Sequence, residues 1–271
     1  MKEWHDLLRT VLLNGENRPD RTGIGTKSLF GLNLELSNTS NSFPAVTTKK
    51  LAVRQCFGEL AAFLEGAENL EVFHKHGCTI WDGNANAKYW QPRTEGDVGR
   101  IYGAQWREWR SEDTIVDQLA DLISSLQKDP YSRRHLVTAF NPGELHLSCL
   151  PPCHVMFQCY VSNRLHLDLQ VTMRSVDLFL GLPFDIASYA LLQRLIAKEI
   201  GLQSRRLVFT FGDAHIYNNH LDAVGLALSR KPLKPPHLYL EPGSSIFKFK
   251  PAEARLINYV HYDAIKADLN V

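Results

Sequence analysis

The sequence predicts one α+β domain over residues 1–271, a mixed or antiparallel sheet with helices packed on it. Three observations carry that expectation. A chain of 271 residues is long enough to bury a full core as one unit. Amphipathic helical stretches alternate with strand-like stretches along its length. No linker, low-complexity run or internal repeat interrupts them.

Residues 2–14 place Trp4, Leu7, Leu8, Val11 and Leu12 on one helical face. Asp20-Arg21-Thr22-Gly23-Ile24-Gly25-Thr26 reads as a basic, glycine-containing loop before a strand from Ser28 to Leu36. A second helix, about 51–65, has an apolar stripe on Val53, Cys56, Phe57, Leu60, Phe63 and Leu64, and Glu59 falls on that stripe. The segment 66–112, rich in Gly, Asn, Trp and charge, is expected to carry much of a binding surface. A helix over 114–127 ends at Lys128-Asp129-Pro130. Strands follow at 135–140, 154–162 and 165–173, the last alternating through Leu165, Leu167, Leu169, Val171 and Met173. A helix over 186–200 and a strand over 206–211 lead into Gly212-Asp213-Ala214-His215-Ile216-Tyr217.

A net charge of +1 argues against long nucleic acid or a membrane surface as partner. The apolar runs are too short for a membrane span, and the polar start Met1-Lys2-Glu3-Trp4-His5 reads as a helix rather than a signal peptide. Five cysteines (Cys56, Cys78, Cys149, Cys153 and Cys159), an odd count, point to reduced thiols and a cytoplasmic location, or a host cytoplasm for a viral chain.

The chemistry centres on Ser148-Cys149-Leu150-Pro151-Pro152-Cys153-His154. A cysteine after a double proline and before a strand is held in one direction, as a nucleophile must be, although a buried thiol is the commoner fate. A metal site from Cys149, Cys153, His154 and Cys159 lacks a repeated Cys-x-x-Cys spacing. Arg133-Arg134 is either a solvated pair or a phosphate grip, and Arg174-Ser175 repeats the theme at a strand end. Asp185 is either a helix N-cap or a functional carboxylate. Glu59 on an apolar stripe must be satisfied or functional, because an unpaired buried charge costs several kcal/mol. His215 and Tyr217 alternate along an extended segment, so both can point one way.

Order and spacing of these motifs join them. Asp20-Arg21-Thr22-Gly23, Val46-Thr47-Thr48-Lys49-Lys50, Thr79-Ile80-Trp81-Asp82, Ser132-Arg133-Arg134, Leu150-Pro151-Pro152-Cys153-His154, Arg174-Ser175, Gly181-Leu182-Pro183-Phe184, Ile186-Ala187-Ser188-Tyr189 and Gly212 to Tyr217, with Ile265-Lys266-Ala267 at the end, resemble the thymidylate synthase family over almost the whole chain. The resemblance implies that Cys153 adds to C6 of a pyrimidine and activates C5 toward the methylene of 5,10-methylenetetrahydrofolate, with no metal. It implies that Arg21, Arg174 and Ser175 hold the phosphate, and that Arg133 and Arg134 arrive from the other subunit of an obligate homodimer. His215 and Tyr217 would hold the sugar 3′-hydroxyl, and Glu59 would organise water and proton transfers. Ile80, Trp81, Asn84, Asp177, Gly181 and Phe184 would line the folate pocket, Asp177 also bordering the nucleotide. The C-terminal tail would close over the folate.

Three departures from the family pattern refine this expectation. Asp185 stands where thymidylate synthases have asparagine. A carboxylate would set acceptor against acceptor at O4 of uracil but can accept from the N4 amino group of cytosine. Asn84 stands where a second tryptophan is usual, which opens space and offers a polar partner for water. Met173 precedes Arg174-Ser175 where glutamine is common, and Met-Arg-Ser resembles the deoxycytidylate hydroxymethylases of bacteriophages. The tail Asp268-Leu269-Asn270-Val271 also differs from the usual ending. The expectation is a deoxycytidylate 5-hydroxymethylase, in which Cys153, Glu59 and Asp185 act on the base and water quenches the exocyclic methylene. Its rivals are a methylase of the same fold acting on dCMP or dUMP, a CMP 5-hydroxymethylase, and a non-catalytic nucleotide- or RNA-binding relative.

Overall fold

The computed structural model describes residues 1–270. In chain order its elements are α1 (Lys2–Asn14), β1 (Glu16–Arg18), β2 (Thr26–Ser37), α2 (Val53–Glu65), α3 (Leu70–Lys75), α4 (Asp82–Ala85), α5 (Tyr102–Arg107), β3 (Trp109–Arg110) and β4 (Ile115–Val116). There follow α6 (Gln118–Lys128), β5 (Leu136–Thr138), β6 (His154–Ser162), β7 (His166–Asp177), α7 (Gly181–Glu199), β8 (Gln203–Tyr217), α8 (Leu221–Ser229), β9 (His237–Leu240) and β10 (Ala254–Ile257). Six strands form one sheet in the order β1-β2-β8-β7-β6-β5. Only β7 and β8 run parallel, joined by α7 as a crossover helix; the other pairs are antiparallel. The predicted α+β class with a mixed sheet is the observed one.

One face of the sheet is the core face. Phe157, Cys159 and Val161 of β6, Leu167, Leu169 and Val171 of β7, and Leu207, Phe209 and Phe211 of β8 are buried there. Trp4 of α1 closes one end of this core, its indole N–H donating to the Leu178 carbonyl at 2.8 Å. Strand alternation turns Gln158, Tyr160, Gln170, Thr172 and Arg174 the other way, and Tyr160 is 66% exposed.

The structure corrects several expected boundaries. The helix expected over 114–127 starts at Gln118, because Ile115-Val116 pairs with Trp109-Arg110 and the Asp117 side chain caps the Ala120 N–H at 3.0 Å. The strand expected at 135–140 is only Leu136–Thr138. Leu165 is 61% exposed in the turn after Asn163 and Arg164, both at positive φ, so β7 opens at His166 and runs on to Asp177. The strand expected to end at 211 continues through Gly212 to Tyr217. A Cβ on Gly212 would lie 2.6 Å from the Arg174 carbonyl oxygen, so this glycine permits a close strand approach and does not end the strand.

The helix expected at 186–200 begins at Gly181, with Pro183 in its first turn, where a missing N–H costs nothing. Asp185 therefore lies inside α7 and is not its N-cap. The preceding turn is held by Asp177, whose Oδ1 accepts the N–H groups of Phe179 (2.8 Å) and Leu180 (3.2 Å). On α2 the apolar stripe is wider than one face: residues 56–64 are all buried, so Glu59 and Phe57 face different surroundings. No described helix is long and apolar enough to cross a membrane.

Candidate active site

Cys153 stands at the entrance to β6, where the pairing with β7 shifts register between His154 and Met156. Its backbone is held at both its N–H and its carbonyl. Its N–H donates to the Tyr102 hydroxyl at 2.8 Å, and its carbonyl accepts the Arg174 N–H at 2.9 Å. The Arg174 guanidinium then donates to the carbonyls of Pro152 and Pro151, both at 2.9 Å, which leaves Nη2 3.9 Å from the Cys153 sulfur. The double proline thus has a second use: its carbonyls aim the arginine at the thiol. Burial pushes the thiol above its ordinary pKa, Arg174 and Arg21 pull it down, and Asp185 pushes it up.

Asp185 acts on this thiol, Glu59 lies near Asp185, and Asp177 stands across Gly181 from Asp185. Glu59 is buried and accepts the Trp81 indole N–H at 2.8 Å. Burial, then the nearby Asp185 charge, push its pKa up to about 8 against that hydrogen bond, so its carboxyl keeps its proton at neutral pH. Asp185 is itself buried, with Oδ1 3.1 Å from His154 Nε2. His154 Nδ1 in turn lies 3.1 Å from the Tyr189 hydroxyl, and its ring packs 4.8 Å from that of Tyr102. Asp177 stands at the end of β7, in register with His215 on β8.

His215 and Tyr217, the residues expected on the sugar side, lie together. His215 Nδ1 is 3.0 Å from Asp213 Oδ1, an oxygen that also accepts the Ser28 hydroxyl at 2.9 Å. The His215 hydrogen bond holds the Asp213 carboxyl below its ordinary range. The rings of His215 and Tyr217 meet edge-on at 5.1 Å, so both do face one way. Burial, then Asp177, push the Tyr217 hydroxyl up. Arg21 is exposed, yet close enough to act on both Cys153 and Tyr217, and Ser175 pairs with Asp213 across the strands.

Of the folate-side candidates, Trp81 and Asn84 are buried, and Ile80 and Phe184 are partly buried against the core. The Asn84 side-chain N–H₂ has no hydrogen-bond partner among the described residues. A Cβ on Gly181 would sit 3.6 Å from Asp177 Cβ and 3.7 Å from Asp185 Oδ2, so this glycine keeps the space between the two carboxylates open. The tail reaches the same neighbourhood. His220 donates to the Asp268 carbonyl at 2.8 Å while its other nitrogen lies 3.9 Å from Asp177 Oδ2; Val271 lies outside the described residues.

Two candidates are not brought in. Arg133 and Arg134 are exposed, and neither guanidinium pairs with a described carboxylate. They precede β5, whose Leu136 pairs with Gln158, so Arg134 lies opposite the stretch near Tyr160. That is seven residues along β6 from Cys153, roughly 24 Å. Met173 turns into the core and is 1% exposed. Sequence reading assigns no site role to Tyr102 or Tyr189, and it considers His154 only as a metal ligand. Tyr189 had a usable signal, four residues after Asp185 on one helical face; Tyr102 had none, since its partner is 51 residues away. Among the described residues no group of three His, Cys, Asp or Glu side chains is placed to hold a metal.

The site therefore combines a fixed thiol, a protonated buried carboxyl, a second buried carboxylate on an imidazole, and guanidinium groups on the open side. A family model described as thymidylate synthase matches residues 2–271.

Proposed function

The chain belongs to the thymidylate synthase family, whose chemistry is folate-dependent one-carbon transfer to C5 of a pyrimidine nucleotide, and we propose that this member is a deoxycytidylate 5-hydroxymethylase. One observation carries the proposal: Asp185 is a buried carboxylate acting on both Cys153 and Glu59, with one oxygen on His154. A base attached to Cys153 through C6 would present its C4 substituent and N3 to Asp185. Uracil would put O4 against the carboxylate, acceptor on acceptor, in a pocket with little water to relieve it. Cytosine offers an amino donor instead.

In this reading Arg174 and Arg21 favour the thiolate of Cys153 against the cost of burial. Addition of sulfur to C6 moves electron density to C5 and raises the proton affinity of N3. Asp185, backed by His154 and Tyr189, lies where that proton is held, so its contact strengthens along the reaction coordinate. Glu59, with a pKa of about 8, can give and take protons near neutrality. Arg21, Arg174 and Ser175 bind the phosphate; His215 and Tyr217 bind the 3′-hydroxyl.

Ile80, Trp81, Asn84, Asp177, Gly181 and Phe184 would hold methylenetetrahydrofolate, and the spare Asn84 amide offers it, or a water beside it, a donor. When bound, it supplies the one-carbon unit. Loss of the C5 proton and departure of tetrahydrofolate would leave an exocyclic methylene on C5. A buried amide without a protein acceptor calls for water, and water held by Asn84 is suited to add to that methylene, its proton passing to solvent or a nearby base. Loss of Cys153 then frees hydroxymethyl-dCMP.

A homodimer completes this reading. Arg174 shares the sheet face that the core leaves open, with Gln170, Thr172 and Tyr160. A second copy seated on that face would bring Arg133 and Arg134 toward the phosphate. The substitution Asp185→Asn tests the base assignment. The dCMP/dUMP ratio of kcat/KM is expected to fall by at least about a hundredfold, the scale of a mismatched buried polar contact. An unchanged ratio removes Asp185 from base recognition.

A further inference from the structure

His220 is fully buried, and none of the steps above uses it. It follows β8 closely, its ring 5.5 Å from that of Tyr217 and 5.7 Å from that of Phe179. Both neighbours border the site: Tyr217 is a sugar-side candidate, and the Phe179 N–H is one that Asp177 Oδ1 accepts. A buried imidazole needs a partner at each nitrogen.

Nε2 meets the Asp268 carbonyl at 2.8 Å. A carbonyl oxygen can only accept, so this nitrogen carries a proton. The Asn270 amide nitrogen, 3.3 Å away, is paired with Asn219. Nδ1 has no hydrogen-bond partner among the described residues and lies 3.9 Å from Asp177 Oδ2. Asp177 uses its other oxygen on the turn before α7. A neutral ring presents a lone pair to Oδ2, and a second proton would present a donor. In either state one imidazole joins the tail to the carboxylate.

The tail has few other polar holds. Upstream, the Tyr262 N–H donates to the Thr47 carbonyl at 2.9 Å and Arg230 to the Asp263 carbonyl at 2.8 Å. Ile265 and Ala267 then pack against the core. Beyond them, the amide pair of Asn219 and Asn270, at 3.1 Å, accompanies His220.

We propose that His220 is a positioning residue that couples docking of the C-terminal tail to the Asp177 carboxylate. Its hold on Asp268 seats the tail, and its ring fixes where Asp177 stands against a bound folate. The coupling rests on the reading above in placing folate beside Asp177; the hold on the tail does not.

Two substitutions separate the ends of the ring. A Gln side chain can carry an N–H to the Asp268 carbonyl; Asn, one carbon shorter, cannot. The first readout needs no catalysis: release of C-terminal residues from the intact protein by carboxypeptidase Y. His220→Asn should speed release by about fivefold or more, the scale of a lost buried hydrogen bond, and His220→Gln should stay within about twofold of the unaltered protein. The second readout is KM for methylenetetrahydrofolate, with whichever pyrimidine nucleotide is turned over. His220→Asn and a chain ending at Ala267 should each raise it by about fivefold or more, and combining them should be no worse than the truncation alone, since both break one link.

Effects that multiply overturn the proposal, as does a His220→Asn protein with unaltered tail release. Equal damage by Asn and Gln, the mark of a merely structural role, also overturns it. Where His220→Asn does not fold, NMR of isotope-labelled histidine in the intact chain and the chain ending at Ala267 decides: the His220 ring signals should shift, and no shift overturns the proposal. Faster release with an unchanged KM overturns the coupling. No readout depends on which base is used, so the assignment at Asp185 stands or falls separately.

Discussion

Glu59 shows what a single side chain contributes when burial decides its charge. In the unfolded chain its carboxyl titrates near the ordinary 4.5; in the fold the pKa is about 8. Between those values the folded state binds the extra proton, so stability is fully present below about pH 4.5 and declines as pH rises through 8. Glu59→Gln keeps the shape and the Trp81 contact but removes the proton. Denaturant unfolding between pH 5 and 8 should lose that decline, and kcat should drop by about a hundredfold or more. An unchanged pH slope would mean that Glu59 is ionised in the fold. The chemistry at this scale was legible where one residue type is costly in its setting: Glu59 on an apolar stripe and Cys153 behind two prolines both announced themselves. Tyr102 did not, because a hydroxyl that receives a backbone N–H from 51 residues away leaves no local trace.

Elements were legible where periodicity alone decides and less so where a side chain or a neighbouring strand does. Helix α1 and strand β6 fall where their patterns place them. The start of α6 moved because Asp117 caps it, and the start of α7 moved because Pro183 is an N-terminal residue of the helix rather than a break before it. Gly212 misled most. A glycine inside a strand pattern reads as an end, and here it lets β8 pass close to the Arg174 carbonyl, the residue that aims at Cys153. Gly212→Ala therefore strains the strand pair and shifts Arg174 together. Thermal unfolding should show a loss of about 1–3 kcal/mol, the usual cost of forced overpacking, with a rise in KM for the nucleotide. A variant with native stability and KM would show that the close approach is not needed.

At the scale of the molecule, one sheet face is packed by helices and the other carries Arg174, Gln170 and exposed Tyr160. In the proposed reading the phosphate is held by Arg21 and Arg174 of one chain and by Arg133 and Arg134 of a second copy, an arrangement that follows from the family resemblance and not from spacing, since contact between copies leaves no spacing to read. Co-expression of Cys153→Ala with Arg133→Ala/Arg134→Ala should restore turnover that neither variant has alone. In the mixed dimer one site regains both an intact thiol and intact arginines. Absence of rescue in a purified mixed dimer would place the arginines outside the active site. Product analysis tests the proposed reaction most directly. The protein is incubated with methylenetetrahydrofolate and dCMP, dUMP or CMP, products are identified by mass spectrometry, and dihydrofolate absorbance is followed in parallel. Hydroxymethyl-dCMP without dihydrofolate is the result predicted from Asp185 and Asn84; a methylated nucleotide with matching dihydrofolate would contradict it.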